Sequence, residues 1–128
     1  MIEINNQEIK HPQHSDEWHE ARRGKLSSSM IKNILGKPRA KTEQFSQTAK
    51  TYMMTLISET MTGQSVELFG KPLQWGTDNE PQAIEAYEIE TMTKVKQCSF
   101  FIDLDNPFLG GSPDGLTQEN GIIEVKCP

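Results

Sequence analysis

The chain has few cysteines: Cys98 and Cys127 are the only two in 128 residues. Their positions show no disulfide-framework spacing. Two thiols also fall short of the four thiolates that hold an iron–sulfur cluster. No apolar run approaches the ~18 residues of a membrane span. The N-terminal stretch MIEINNQEIKH carries no basic patch followed by an apolar segment, so no signal peptide is visible. These absences point to a reducing, cytoplasmic setting. Positive charge is also scarce: 13 Lys and Arg stand against 18 Asp and Glu, a net charge of −5. That argues against a protein that coats nucleic acid non-specifically, because such affinity comes from cations neutralising phosphates. It leaves open an enzyme that meets phosphates locally, through a few arginines, helix N-termini and metal ions. Hydrophobic residues are 34% of the chain and the mean hydropathy is −0.62, enough for one modest core in one domain. There is no internal repeat and no low-complexity segment.

What is present is a run of helical patterns followed by strand patterns. Ser15-Asp16-Glu17-Trp18 is an N-cap with acids in the first turn, predicting a helix from about Asp16 to Arg23 that Gly24 stops. Ser27-Ser28-Ser29 precedes Met30, Ile31, Ile34 and Leu35, which share a helical face that ends at Gly36. A longer helix is expected from about Thr42 to Met61, with a buried stripe of Phe45, Ala49, Tyr52, Met53, Leu56 and Thr60. The segment 65–76 reads as irregular. Thr77 or Asp78 then caps a helix to about Thr91, with Pro81 in its first turn. Val95 to Ile102 reads as a strand, and Leu109 opens a second one. Leu116–Thr117 and Ile122–Lys126 read as a hairpin across Glu119-Asn120-Gly121. Helices first and strands after make an α/β or α+β arrangement.

The hairpin carries the chemistry. A two-residue Asn-Gly turn puts Asp114 and Glu124 on opposite faces. A three-residue loop with Gly121 left-handed pairs Leu116 with Glu124 and Asp114 with Lys126, and gathers all three polar groups on one face. The second register is preferred for that reason. Two carboxylates converging beside Ile122, Ile123 and Val125 need compensation, and a hard, oxygen-seeking cation such as Mg²⁺ supplies it. The carbonyl of Val125 is a further candidate ligand. Lys126 can orient or deprotonate an activated water, or hold a phosphate oxygen as a point charge. The plainer reading has Asp114 capping a turn and Glu124 and Lys126 on a solvated strand face. Glu80 lies on the helical face of Ala83, Ile84 and Tyr87, where a carboxylate needs a partner unless it only complements the helix dipole. Arg22 beside the hydroxyls of Ser27 and Ser29, at an expected helix start, has the makings of an anion site. The alternative is a plain N-cap and a surface charge. Trp18 reads as a core anchor. His11, His14 and His19 show no convincing metal-site partner set and stay unassigned.

Four pieces in order resemble the phage lambda exonuclease type of viral recombination nuclease, in the restriction-endonuclease-like PD…(D/E)xK superfamily. They are Trp18 to Arg22 with Gly24, Ser27 to Ser29, Trp75-Gly76 up to Glu80, and Ser112-Pro113-Asp114-Gly115 with Glu124-Val125-Lys126. The resemblance implies a restriction-endonuclease-like α/β core and an exonuclease that hydrolyses duplex DNA from a 5′ end, with Mg²⁺ (or Mn²⁺ in its place). It implies Glu80, Asp114 and Glu124 as metal ligands and Lys126 as the residue that assists the water. It also implies a 5′-phosphate pocket at Arg22, Ser27 and Ser29. On this reading residues 1–63 are the helical phosphate-pocket part and 64–128 the catalytic helix and hairpin of a single domain. Phage recombination, a host-cell cytoplasmic location and a single-strand annealing partner are further implications. Family members run on past the Glu-x-Lys strand, so the C-terminal part of the fold is expected to be missing here. An edge strand left open would invite self-association or a complementing chain. The alternative function is a non-catalytic DNA-end-binding or assembly module.

Overall fold

A computed structural model describes residues 5–65 and 70–128. The chain forms two compact units, Met1–Ser65 with Ser99–Ser112, and Val66–Cys98 with Pro113–Pro128. The α/β expectation is met, with helices and two small sheets.

In the first unit the cap at Ser15 forms as expected. Its hydroxyl accepts the Trp18 N–H at 3.2 Å, and helix α1 spans Asp16–Arg22. Gly24 turns the chain with φ +70, and a side chain there would run into Thr60. Its N–H donates to Glu59 Oε2 at 2.9 Å. The three serines then depart from expectation. Leu26–Ser27 is a strand, β2, and Ser28–Met30 is a 3₁₀ turn before a short helix α2, Lys32–Leu35. The backbone of Leu26 bonds to Phe108 O at 2.8 Å, so sheet pairing takes the place of a helix start. Ile31 and Leu35 are exposed.

Helix α3 spans Gln47–Thr62 and begins later than predicted, because Ser46 is its cap and accepts the Ala49 N–H at 3.1 Å. Of the expected stripe only Ala49 and Tyr52 are buried, and Phe45 lies before the helix and is exposed. Strand β1, Asn6–Glu8, was not anticipated. It joins a four-stranded sheet with β4 (Phe101–Asp103) and β5 (Leu109–Gly111) in the order β1-β4-β5-β2. The β1–β4 and β4–β5 pairs are antiparallel, and β5–β2 is parallel. Trp18, Ala49, Tyr52 and Phe100 form the core of this unit. Gly110 is glycine because any side chain there would overlap the Phe100 ring.

In the second unit helix α4 spans Lys71–Thr91, well before Thr77. The expected irregular segment is therefore helical from Lys71, and residues 66–69 lie outside the described ones. Pro72 takes the first turn, where its missing N–H costs nothing, so Pro81 falls inside the helix and not in its first turn. The predicted strand from Val95 to Ile102 is two strands, since β3 is only Val95–Lys96 and pairs in the other sheet. What separates them is a set of polar ties in the first unit: the Ser99 N–H donates to Glu8 Oε1 at 2.7 Å and its hydroxyl donates to His11 O. The second sheet has the antiparallel order β3-β6-β7, with β6 Gly115–Thr117 and β7 Ile122–Ile123.

The hairpin register differs from both expectations. Gly115 pairs with Ile123 and Leu116 with Ile122, a shift of two residues from the preferred register. The loop is Gln118-Glu119-Asn120, and Asn120, not Gly121, takes the left-handed conformation with φ +61. Gly121 serves close approach instead: its N–H donates to Thr117 Oγ1 at 2.9 Å, where a side chain would collide. A shift of two preserves which side chains share a face.

Candidate active site

Asp114 sits just before β6 and is fastened to the end of β7 at two points. Its N–H donates to Ile123 O at 3.1 Å, and its Oδ2 accepts the Val125 N–H at 2.6 Å. Asp114 therefore meets the backbone of Ile123 and Val125, not a Lys126 pair partner. Val125 enters through its N–H, a different group from the carbonyl expected as a ligand. Lys126 Nζ lies 2.5 Å from Glu124 Oε1, and both side chains are largely exposed. Glu80 is half-buried on α4.

The charges of these groups act on one another. Burial pushes the Glu80 carboxyl above its ordinary value, and the charges of Asp114 and Glu124 push it further the same way. Burial also raises Asp114. The Val125 hydrogen bond opposes that rise, Glu124 adds to it, and Lys126 counters it. The Lys126 ammonium is held above its ordinary value, first by its hydrogen bond to Glu124 and then by the charges of Glu124 and Asp114. All four residues belong to the second unit.

Oxygen donors that repel one another are the donor set a hard divalent cation takes. Among the described residues, no group of three or more His, Cys, Asp or Glu side chains is drawn close enough to hold a metal ion. Glu124 is instead engaged by Lys126. The donor chemistry fits Mg²⁺.

The second set of expected residues lies in the first unit. The Arg22 guanidinium stacks over Trp18 with Cζ 4.1 Å from the ring centroid. Burial lowers its pKa, opposed by Tyr52 and Glu59 nearby. Its neighbour Arg23 donates to Ser65 at 3.2 Å, whereas among the described residues the Arg22 guanidinium has neither hydrogen bond nor ion pair. Ser27 Oγ and Ser29 Oγ are 3.2 Å apart. Ser27 is buried with its N–H 3.5 Å from the Tyr52 hydroxyl, and Ser29 is exposed. These hydroxyls sit at a strand end and a 3₁₀ turn, not at the helix N-terminus that sequence suggested.

Trp18 is the core anchor it was read as, 4% exposed. Its indole N–H donates to Ser112 Oγ at 2.9 Å, which brings a third serine beside the Arg22 platform. In the sequence Ser112 stands out only as part of the Ser-Pro-Asp-Gly motif. Tyr52 and Glu59, read as parts of a helix, also border Arg22, and no pattern in α3 distinguishes them from packing residues.

The chain matches the YqaJ-like viral recombinase domain over residues 17–128. It is similar to LHK-Exo, an alkaline exonuclease from Laribacter hongkongensis. One such structure shares 34% identity at a TM-score of 0.76, and a complex of LHK-Exo with dAMP shares 33% at 0.78. Each match covers 89% of this chain and 54% of the other, so the chain spans about half the length of these relatives. A phage-related exonuclease from Haemophilus somnus 129PT shares the fold at 23% identity and a TM-score of 0.55, over 71% of this chain and 42% of the other. A search of curated proteins returned no match. The chain therefore belongs to the family of YqaJ-like viral recombinase domains, with the mixed α/β nuclease fold of its exonuclease relatives.

Proposed function

We propose that the chain is the part of a Mg²⁺-dependent DNA exonuclease that carries the catalytic carboxylates and a pocket for a 5′-phosphate, and that it acts on linear duplex ends from the 5′ side. What most supports this reading is that the Glu80 carboxyl, half-buried on α4, feels the negative charges of Asp114 and Glu124 from the hairpin. The named activity of the LHK-Exo relatives supports it, and so does the nucleotide dAMP in one of them.

Glu80, Asp114 and Glu124 would hold the cation. Its chemistry there is Lewis-acid polarisation of the scissile phosphate and acidification of the attacking water. The Val125 N–H fixes the Asp114 carboxylate, leaving Oδ1 free to turn toward a ligand. Of the two roles open to Lys126, orienting the water or phosphate oxygen suits it better than deprotonation. Its raised pKa keeps it charged through the neutral range. In the first unit Arg22 offers a planar fork of donors that no described residue engages, the geometry that recognises phosphate, with the Ser27 and Ser29 hydroxyls as further donors. Phage recombination with a single-strand annealing partner is the setting this reading fits. The pairing of Glu124 with Lys126 favours one other reading, a DNA-end-binding module without catalysis.

The test is digestion of a 5′-phosphorylated linear duplex with Mg²⁺ or Mn²⁺. Nucleotide release that EDTA stops is expected, starting at the 5′-labelled end. Binding without release in any divalent metal would leave the module reading standing.

A further inference from the structure

We propose that His14 is a further binding residue for the DNA end, its imidazole contacting the terminal 5′-phosphate beside Arg22. The proposal rests on the pocket reading given above for Arg22, Ser27 and Ser29.

His14 holds φ +67, in the left-handed region that side-chain-bearing residues seldom adopt and that glycine takes without strain. Strain of this kind persists where the surroundings impose it, and it gathers at ligand sites. Here the conformation sets the imidazole against Trp18, ring centroids 5.0 Å apart and planes tilted by 48°. The same indole carries Arg22 at 4.1 Å and donates to Ser112 at 2.9 Å. One buried aromatic thus organises an arginine, a serine and an imidazole. Among the described residues the His14 ring nitrogens have no hydrogen-bond partner, as is true of the Arg22 guanidinium. Burial, then the charges of His19 and Arg22, push the His14 pKa down, so the ring stands neutral with one N–H donor. A neutral donor next to a cation can join it on one phosphate without the repulsion that two cations would suffer. His19 meets Trp18 edge-on at 4.8 Å, and His11 faces Glu17 at 3.9 Å. Neither has the unusual backbone that places His14.

The experiment measures binding of duplexes with a 5′-phosphate or a 5′-hydroxyl by fluorescence anisotropy, in EDTA so that nothing is cleaved. The full chain is compared with H14G and R22A, and each protein is also melted. The wild type is expected to prefer the phosphorylated end. H14G should lower that preference about ten- to a hundredfold, the range of one hydrogen bond to a charged group. It should melt no lower than the wild type, because glycine relieves the backbone. R22A should abolish the preference. If H14G keeps the full preference while R22A loses it, the role of His14 is overturned and the pocket stands. If H14G loses preference only along with a lower melting temperature, His14 is structural and the proposal is also overturned. If the wild type itself shows no preference, the pocket reading falls and takes this inference with it.

Discussion

At the scale of single residues, the carboxylates give the sharpest expectations. Glu80 and Asp114 have folded-state pKa values above their unfolded ones. The folded chain then binds protons more tightly, so stability is lost as pH rises from the ordinary carboxylate range of ~4 through the raised values. Above them, without a cation, the penalty is complete. Glu80→Gln should therefore raise the melting temperature in EDTA at pH 7 by about 1–2 °C and leave it unchanged near pH 4. The effect is small because the carboxyl keeps solvent contact. Thermal melts at the two pH values check this, and a gain at pH 4 would contradict it. Asp114→Asn and Lys126→Ala should each lower Mg²⁺-dependent nucleotide release at least about 100-fold while the melting temperature stays near wild type. A time course on phosphorylated duplex reads that loss, and retained hydrolysis would rule out the assignment. The residue types at these positions were legible because two acids and a lysine beside an apolar run demand an explanation. Ser112 and His14 were not, because nothing in a linear pattern shows that both come to rest against Trp18.

At the scale of elements, local signals were read well where a side chain answers its own backbone. Ser15 caps α1, and Gly24 ends it in the left-handed conformation, as their positions predicted. Errors arose where a distant segment decides. Leu26–Ser27 becomes a strand only because Leu109–Gly111 lies alongside it. The break between β3 and β4 depends on Glu8 and His11, remote in sequence. In the hairpin, asparagine and glycine were both able to take the positive φ, and the contact of Gly121 with Thr117 decided between them. Gly121→Ala should accordingly destabilise the hairpin by about 1–3 kcal/mol, the usual cost of overpacking. Denaturant unfolding would measure it, with a matching loss of activity because Asp114 and Val125 depend on that register. Ser46→Ala should cost about 1 kcal/mol through the lost cap of α3 and leave activity per folded molecule unaltered.

At the scale of the whole molecule, mass action links the site to stability. A cation that binds only the folded chain adds about 2.7 kcal/mol at a hundredfold excess over its Kd. Mg²⁺ and Mn²⁺ should thus raise the melting temperature relative to EDTA, and Asp114→Asn should remove most of the rise. Calorimetric scans at several ion concentrations test it, and an equal rise in the variant would place the ion elsewhere. The described helices include none long and apolar enough to cross a membrane. Among sheet edges, β7 exposes Ile122, 69% accessible, on the hairpin that carries Glu124.

The two units interleave along the chain, which passes between them at Ser65, Cys98 and Ser112. Their boundaries are therefore not those of two gene halves. A single crossover between related genes at Ser99 would give a hybrid in which both units are chimaeric, each with strands from two parents. Exchange that leaves each unit of single parentage needs several breakpoints at once, so inheritance of this stretch as one block should be favoured.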